Sequence, residues 1–200
     1  MTQIKFVYFD IGGVLLDFDQ VFVELGKIAN KPAALAREAH YLLDHDVCSD
    51  RMSVEEYWTR FQEHMGAKIE IPKRIDEYFV DYFFPITATH KLAEDLTNMM
   101  RVGLLSNMWG RMFPLMKRKT LIPAIAYDVE IVSNELKVHK PQQEIFEIAE
   151  DRSGAIGEEL ILIDDSKGNV NAAIEFGWQG FVFDTNNPDD SVKKLREMLF

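Results

Sequence analysis

The sequence predicts an α/β protein, a doubly wound parallel sheet carrying a small helical insert, and three observations predict it. Phe6 to Phe9, Val102 to Leu105 and Leu160 to Ile163 are short continuous apolar runs, as expected of strands buried on both faces. From about Thr87 such runs alternate with stretches of helical spacing, the pattern of repeated strand-then-helix units. Between the first run and Thr87, apolar residues recur only at helical spacing. The expected organisation is therefore a core of residues 1–16 and 87–200 interrupted by a helical unit at 17–86.

The first strand drives into Asp10 and stops at Gly12 and Gly13, which let the backbone turn sharply and approach a ligand. The insert then reads as four helices. Val21, Phe22, Leu25, Ile28 and Ala29 form one stripe ended by Asn30, and Pro32 opens a second helix carrying Leu35, Ala39, Leu42 and Leu43. Ser53-Val54-Glu55-Glu56 reads as a capping box before Tyr57, Trp58, Phe61 and Met65, with Gly66 as the stop. Ile75, Tyr78, Phe79, Tyr82 and Phe83 make the fourth stripe, closed by Pro85.

In the second half, Leu92, Leu96 and Met99 share a helical face before the strand ending at Ser106-Asn107. A helix is expected from about Trp109 to Lys119, a strand at Val129 to Val132, and a helix opening at Lys140-Pro141. The strand Leu160 to Ile163 ends at Asp164-Asp165. Val170 to Phe176 is helical with Gly177 as its stop, Phe181 to Phe183 is the last strand, and Asn187-Pro188 caps the final helix.

With 47% hydrophobic and 28% charged residues, the 200-residue chain can bury a core. A net charge of −11 argues against duplex nucleic acid or an anionic membrane as partner. Met116-Lys117-Arg118-Lys119, the only basic cluster, suits the solvated end of a helix. Cys48 alone forms no internal disulfide and no zinc set, and there is neither a signal-peptide pattern nor an 18-residue apolar run. A cytoplasmic protein is expected.

In a parallel sheet all carboxyl ends share one edge, so Asp10, Ser106, Lys140, Asp164 and Asp165 can converge there. Three acids and a lysine suit a divalent cation and a phosphoryl group, because hard Mg²⁺ takes carboxylate, water and substrate oxygens. Lys140 would offset the remaining charge and the Ser106 hydroxyl would hold a phosphoryl oxygen.

The ordered set Asp10-Ile-Gly-Gly-Val14, Leu104-Leu-Ser106-Asn107, Lys140-Pro141 and Ile163-Asp164-Asp165-Ser166 resembles the four motifs of the haloacid dehalogenase-like hydrolases. The insert resembles that superfamily's α-helical cap. The resemblance implies a phosphatase in which Asp10 is the nucleophile, forming an aspartyl-phosphate. It implies Mg²⁺ held by Asp10, the Gly12 carbonyl and Asp165, with Asp164 assisting directly or through a water. Ser106 and the Asn107 amide would hold the phosphoryl group, and Lys140 would steady the charge. The substrate would be a small phosphorylated metabolite, a sugar phosphate among the candidates.

The departure from that pattern is Gly12, where most phosphatases of the superfamily carry a second Asp as general acid and base. A subgroup including bacterial sugar-phosphate phosphatases has glycine there. Asp17 and Asp19 are the nearest substitutes in sequence, although turn and N-cap chemistry explains them as well. His40 and His45 read as polar surface or loop residues of the insert, with His45 a candidate to face substrate; His139 reads as a loop residue, and Trp109 as packing near the pocket. Gly12 also supports an alternative, a catalytically impaired domain that binds a phosphate compound or a protein.

Overall fold

Phe6–Phe9 (β1) is buried at all four positions, and pleating sends Val7 and Phe9 to one face of the sheet and Phe6 and Tyr8 to the other. In the computed structural model, which describes residues 3–200, every later element is arranged around this strand. Leu16–Asp17 (β2) leads into α1 (Asp19–Ala29), α2 (Ala33–Cys48), α3 (Val54–Met65) and α4 (Ile75–Val80), and Phe84–Pro85 (β3) leads out. The remainder runs α5 (Thr87–Leu96), β4 (Arg101–Ser106), α6 (Met112–Arg118), β5 (Val129–Val132), α7 (Ser133–Leu136) and α8 (Gln143–Ser153), then β6 (Leu160–Asp164), α9 (Lys167–Phe176), β7 (Gln179–Val182) and α10 (Pro188–Leu199).

The main sheet is parallel throughout, in the order β5-β4-β1-β6-β7. The chain winds outward from β1 through β4 to β5, then returns to lay β6 and β7 on the other side. The winding reverses beside β1, which opens a crevice at the carboxyl ends of β1, β4 and β6. One face of the sheet packs on α8, α9 and Trp178; the other is continuous with α5, α10 and the helices of the insert. Gly103 is where β4 meets the aromatic pair of β1: a Cβ there would lie 2.8 Å from the Phe6 and Tyr8 rings.

The two short segments that bound the insert pair with each other, Leu16 opposite Pro85 and Asp17 opposite Phe84. The Ile86 N–H donates to the Leu15 carbonyl at 2.9 Å and the Thr89 hydroxyl to the Val14 carbonyl at 2.6 Å, so entry and exit are tied together. Within the insert, Asn30 and Gly66 end α1 and α3 in the left-handed conformation. The Ser53 hydroxyl accepts from the Glu56 N–H, while the Glu56 carboxylate turns to Arg60 instead of completing the box.

Several boundaries and facings differ from the sequence reading. On α2 the buried residues are Ala36, Ala39, His40, Val47 and Cys48, with Leu35 and Leu43 partly buried against the core, and Leu42 is 63% exposed. Small alanines let α2 lie close to α1 and α3, and the His40 ring fills the space a larger apolar residue was expected to fill, among Phe22, Tyr57 and Phe79. His40 is therefore a buried core residue and not a surface one. The helix α5 stops at Leu96, which leaves Met99 exposed; α6 begins at Met112, which leaves Trp109 in a loop; α8 begins at Gln143, which leaves Lys140 in the turn before it. That turn contains a cis Lys140–Pro141 bond. The last strand lies earlier, at Gln179–Val182. In the basic cluster, Lys117 pairs with Glu130 and Lys119 with Asp81. Among the described residues no helix is long and apolar enough to cross a membrane.

Candidate active site

Asp10 follows the last residue of β1, Ser106 ends β4, and Asp164 ends β6, so three adjacent strands deliver their polar termini to the same crevice. Lys140 arrives from the turn between α7 and α8. Its ammonium lies 3.1 Å from Asp10 Oδ1 and 2.5 Å from Asp164 Oδ2, and the side chain is fully buried. Burial by itself would pull this lysine down, but the Asp10 and Asp164 charges outweigh it and hold the ammonium above its ordinary range.

Asn107 explains how the Lys140 turn is aimed. Its side-chain amide donates to the Lys140 carbonyl at 2.8 Å and its carbonyl oxygen accepts the Lys140 N–H at 2.8 Å. One N–H of the side-chain amide and its oxygen are thus both given to the Lys140 turn. His139 is buried beside it, with Nδ1 2.8 Å from the Lys140 carbonyl and its ring against His45 at 4.7 Å.

Asp10 Oδ1 accepts the Ile11 N–H at 2.7 Å as well as facing Lys140, and the Ser106 hydroxyl also reaches this carboxyl group. Burial pushes Asp10 up to about 7; Asp164 and Asp165 reinforce the rise while Lys140 and Ser106 oppose it. Asp165, on the pocket wall, is pushed up to about 6 by desolvation and by its neighbour Asp164. Asp164 is spoken for: Oδ1 accepts the Ser166 N–H at 2.8 Å, Oδ2 takes Lys140, and the Asn169 amide lies 3.1 Å from both.

Asp10, Asp164 and Asp165 each offer an oxygen within 4.8 Å of the others. Burial, reinforced by the neighbouring acids, pushes two of the three acids toward protonation, and the one ammonium leaves negative charge uncompensated. An oxygen-seeking divalent cation would relieve that repulsion, so the donor set fits one. Gly13 keeps the cradle open: its φ is +73°, and a Cβ there would lie 2.3 Å from an Asp165 carboxylate oxygen. Gly12 lines the same pocket, and a Cβ at Gly12 would meet the Phe18 ring at 3.2 Å.

The crevice opens into a cavity of about 400 Å³ roofed by the insert. His45 and Trp109 line it, and Trp109 also packs on Tyr57 and Phe79. Asp17 and Asp19 do not line it: Asp17 accepts the Asp19 N–H in the turn entering α1, and Asp19 pairs with Arg37 at 2.9 Å. Lining residues not singled out in the sequence include Phe18, Tyr41, Asp44, Met108, Met112 and Asn169. Asn169 was the most accessible of them, a polar side chain in the first turn of the helix that follows the acidic pair. Tyr41 and Asp44 carried no signal, because their facing depends on how α2 is rotated.

No family model matches the sequence, and no curated protein matches it. Solved structures do resemble it. A predicted HAD-like family hydrolase from Porphyromonas gingivalis is 22% identical over 98% of each chain, with a TM-score of 0.72. A HAD family enzyme from Bacteroides thetaiotaomicron, solved as a magnesium complex, is 23% identical over 92% of this chain and 95% of that one, with a TM-score of 0.71. L-2-haloacid dehalogenase from Xanthobacter autotrophicus is 18% identical over 90% of this chain and 78% of that one, with a TM-score of 0.69. With its parallel sheet and the acids and lysine gathered at the carboxyl edge, the chain has the fold of the haloacid dehalogenase-like hydrolases.

Proposed function

We propose that this protein is a Mg²⁺-dependent phosphatase that hydrolyses a small phosphorylated metabolite through an aspartyl-phosphate on Asp10. The observation that carries the reading is the Lys140 ammonium set between Asp10 and Asp164, with Asp165 alongside. The Bacteroides enzyme of the same fold has been solved with magnesium and inorganic phosphate together, which supports the same ligands here. Bound at Asp10, Asp165 and the Gly12 carbonyl, with Asp164 behind, Mg²⁺ would supply charge neutralisation for the carboxylates and the phosphoryl oxygens.

The protein's own groups then do the following. The Ile11 N–H and Lys140 fix the rotation of the Asp10 carboxylate, one oxygen of which attacks phosphorus as the bond to the substrate's alcohol oxygen breaks. The Ser106 hydroxyl, the Asn107 main-chain N–H and Lys140 hold the phosphoryl oxygens as charge shifts among them. Water attacks the phosphorus of the aspartyl-phosphate, releasing phosphate and restoring Asp10. Gly12 supplies no proton to the departing alcohol, so the alcohol is protonated by water or leaves with little help. General acid help is worth about 10²- to 10⁴-fold, and slow turnover of poor leaving groups is the expected cost.

Dehalogenation is the competing reading within the fold. A haloacid carboxylate would enter a pocket whose single lysine is already engaged by two acids, next to a third acid, and phosphoryl transfer suits that set better. A binding module without turnover is favoured only by Gly12. The acidic net charge supports a protein with no nucleic-acid or membrane partner, and the single cysteine suits a cytoplasmic one. The test is phosphate release from aryl, acyl and sugar phosphates with Mg²⁺ or EDTA, in wild type and Asp10→Asn. Metal-dependent release that the variant loses supports the phosphatase; no release from any ester leaves the binding module.

A further inference from the structure

The lining of the cavity is of two kinds. Phe18, Phe79, Phe83, Trp109, Met112 and Met116 form a broad apolar surface, whereas the polar groups of the roof come from one helix, α2, through His40 and the set Tyr41, Asp44 and His45. The last three lie at i, i+3 and i+4 and so share a face. No arginine lines the cavity, and its one lysine, Lys140, is held between Asp10 and Asp164. Asp44 is fixed from behind: Cys48 Sγ donates to Oδ1 at 3.2 Å and His40 Nε2 lies 3.6 Å from the same oxygen. Oδ2 has no hydrogen-bond partner among the described residues, and Asp44 lines the cavity.

We propose that the site selects phosphomonoesters whose alcohol part presents an apolar face and carries no second anionic group, and that Asp44 accepts a hydrogen bond from that alcohol. This assignment rests on the phosphatase reading and adds the chemistry of the leaving group to it. An apolar face would be buried against the Phe and Met residues, and a hydroxyl, amide or amino donor reaching Asp44 would satisfy its open oxygen. A second phosphate or a carboxylate would face Asp44 with no free lysine or arginine to meet it.

The experiment compares para-(carbamoylmethyl)phenyl phosphate with para-(carboxymethyl)phenyl phosphate, which match in shape and leaving-group acidity and differ in charge. Phosphate release with Mg²⁺ is measured for wild type and Asp44→Asn, with a thermal melt to confirm that the variant folds. In wild type the amide ester should have the higher kcat/KM by about tenfold or more, and the gap should narrow in Asp44→Asn. Equal rates, or preference for the carboxylate, in wild type would overturn the assignment whatever the variant does. A wild-type gap that persists in a folded Asp44→Asn would remove Asp44 from it. No release from either ester would overturn the phosphatase reading itself.

Discussion

At the sheet edge each charged group is positioned by the backbone it ends: Asp10 by β1, Asp164 by β6, and Lys140 by a turn clamped through Asn107. In the roof, His40, Tyr41 and Asp44 are positioned by the rotation of one helix, and that rotation is set by what α2 meets on α1, α3 and α4. The edge is dominated by charges that answer one another. The roof is dominated by aromatic packing with a few polar groups threaded through it, such as the Tyr57 hydroxyl 2.9 Å from His40 Nδ1. Burial holds His40 neutral and Tyr57 protonated, so one consistent assignment has Tyr57 donating to Nδ1 and Nε2–H turned to Asp44. The charged groups thus sit at strand ends and a clamped turn, and the polar groups of the roof on a helix placed by side-chain packing.

Substitutions sharpen that contrast, and the largest effects fall on the edge. Asp10→Asn should abolish phosphate release while circular dichroism and melting stay close to wild type, since the amide keeps the shape; measurable turnover would break the assignment of the nucleophile. Lys140→Ala should lower kcat by about 10²- to 10³-fold. It leaves two buried acids facing each other without their cation, so a urea melt should show about 3–5 kcal/mol of destabilisation, offset where the acids take up protons.

Metal is the next lever. Saturating Mg²⁺ at a hundredfold over its dissociation constant should raise stability by about 2.7 kcal/mol, read as a melting shift that EDTA reverses. Asp165→Asn should shrink that shift, and an unchanged shift would remove Asp165 from the cation site. At Gly12, restoring an acid tests the leaving-group argument. Because the Phe18 ring occupies the approach, Gly12→Asp alone should gain little on alkyl phosphates, and Gly12→Asp with Phe18→Ala should gain about tenfold or more. No gain in the double variant would show that the missing acid is not what limits turnover.

The smallest effects belong to the roof and test its facing. Ala39→Leu should overpack α2 against its neighbours and cost about 1–3 kcal/mol. Leu42→Ser, on the exposed side, should stay within about 0.5 kcal/mol of wild type. The reverse order in urea melts would mean that α2 is rotated from the position described.

The strand ends were legible because continuous apolar runs stopping at Asp10, Ser106 and Asp164 declare both a buried strand and the residue that leaves it. Val129 to Val132 was read at its observed limits for the same reason. Lys140 was legible as a residue but not in its setting, since the helix expected at Lys140 begins at Gln143 and the lysine belongs to a turn. On α2, Leu35, Ala39 and Leu43 pack inward as expected, but Leu42 was misread because it carries a stronger hydrophobic signal than Ala36 and His40, which only close packing brings inward.

By itself the sequence determined the fold class, the central strands and the residues that reach the carboxyl edge, because burial on two faces and the alternation of strand with helix are local patterns. Tertiary structure alone decided which side of the insert roofs the cavity, that Asn107 serves the Lys140 turn, and that Asp44 keeps one oxygen open. Those outcomes depend on contacts between residues far apart in the chain, and the free energy of such contacts is absent from any window of sequence.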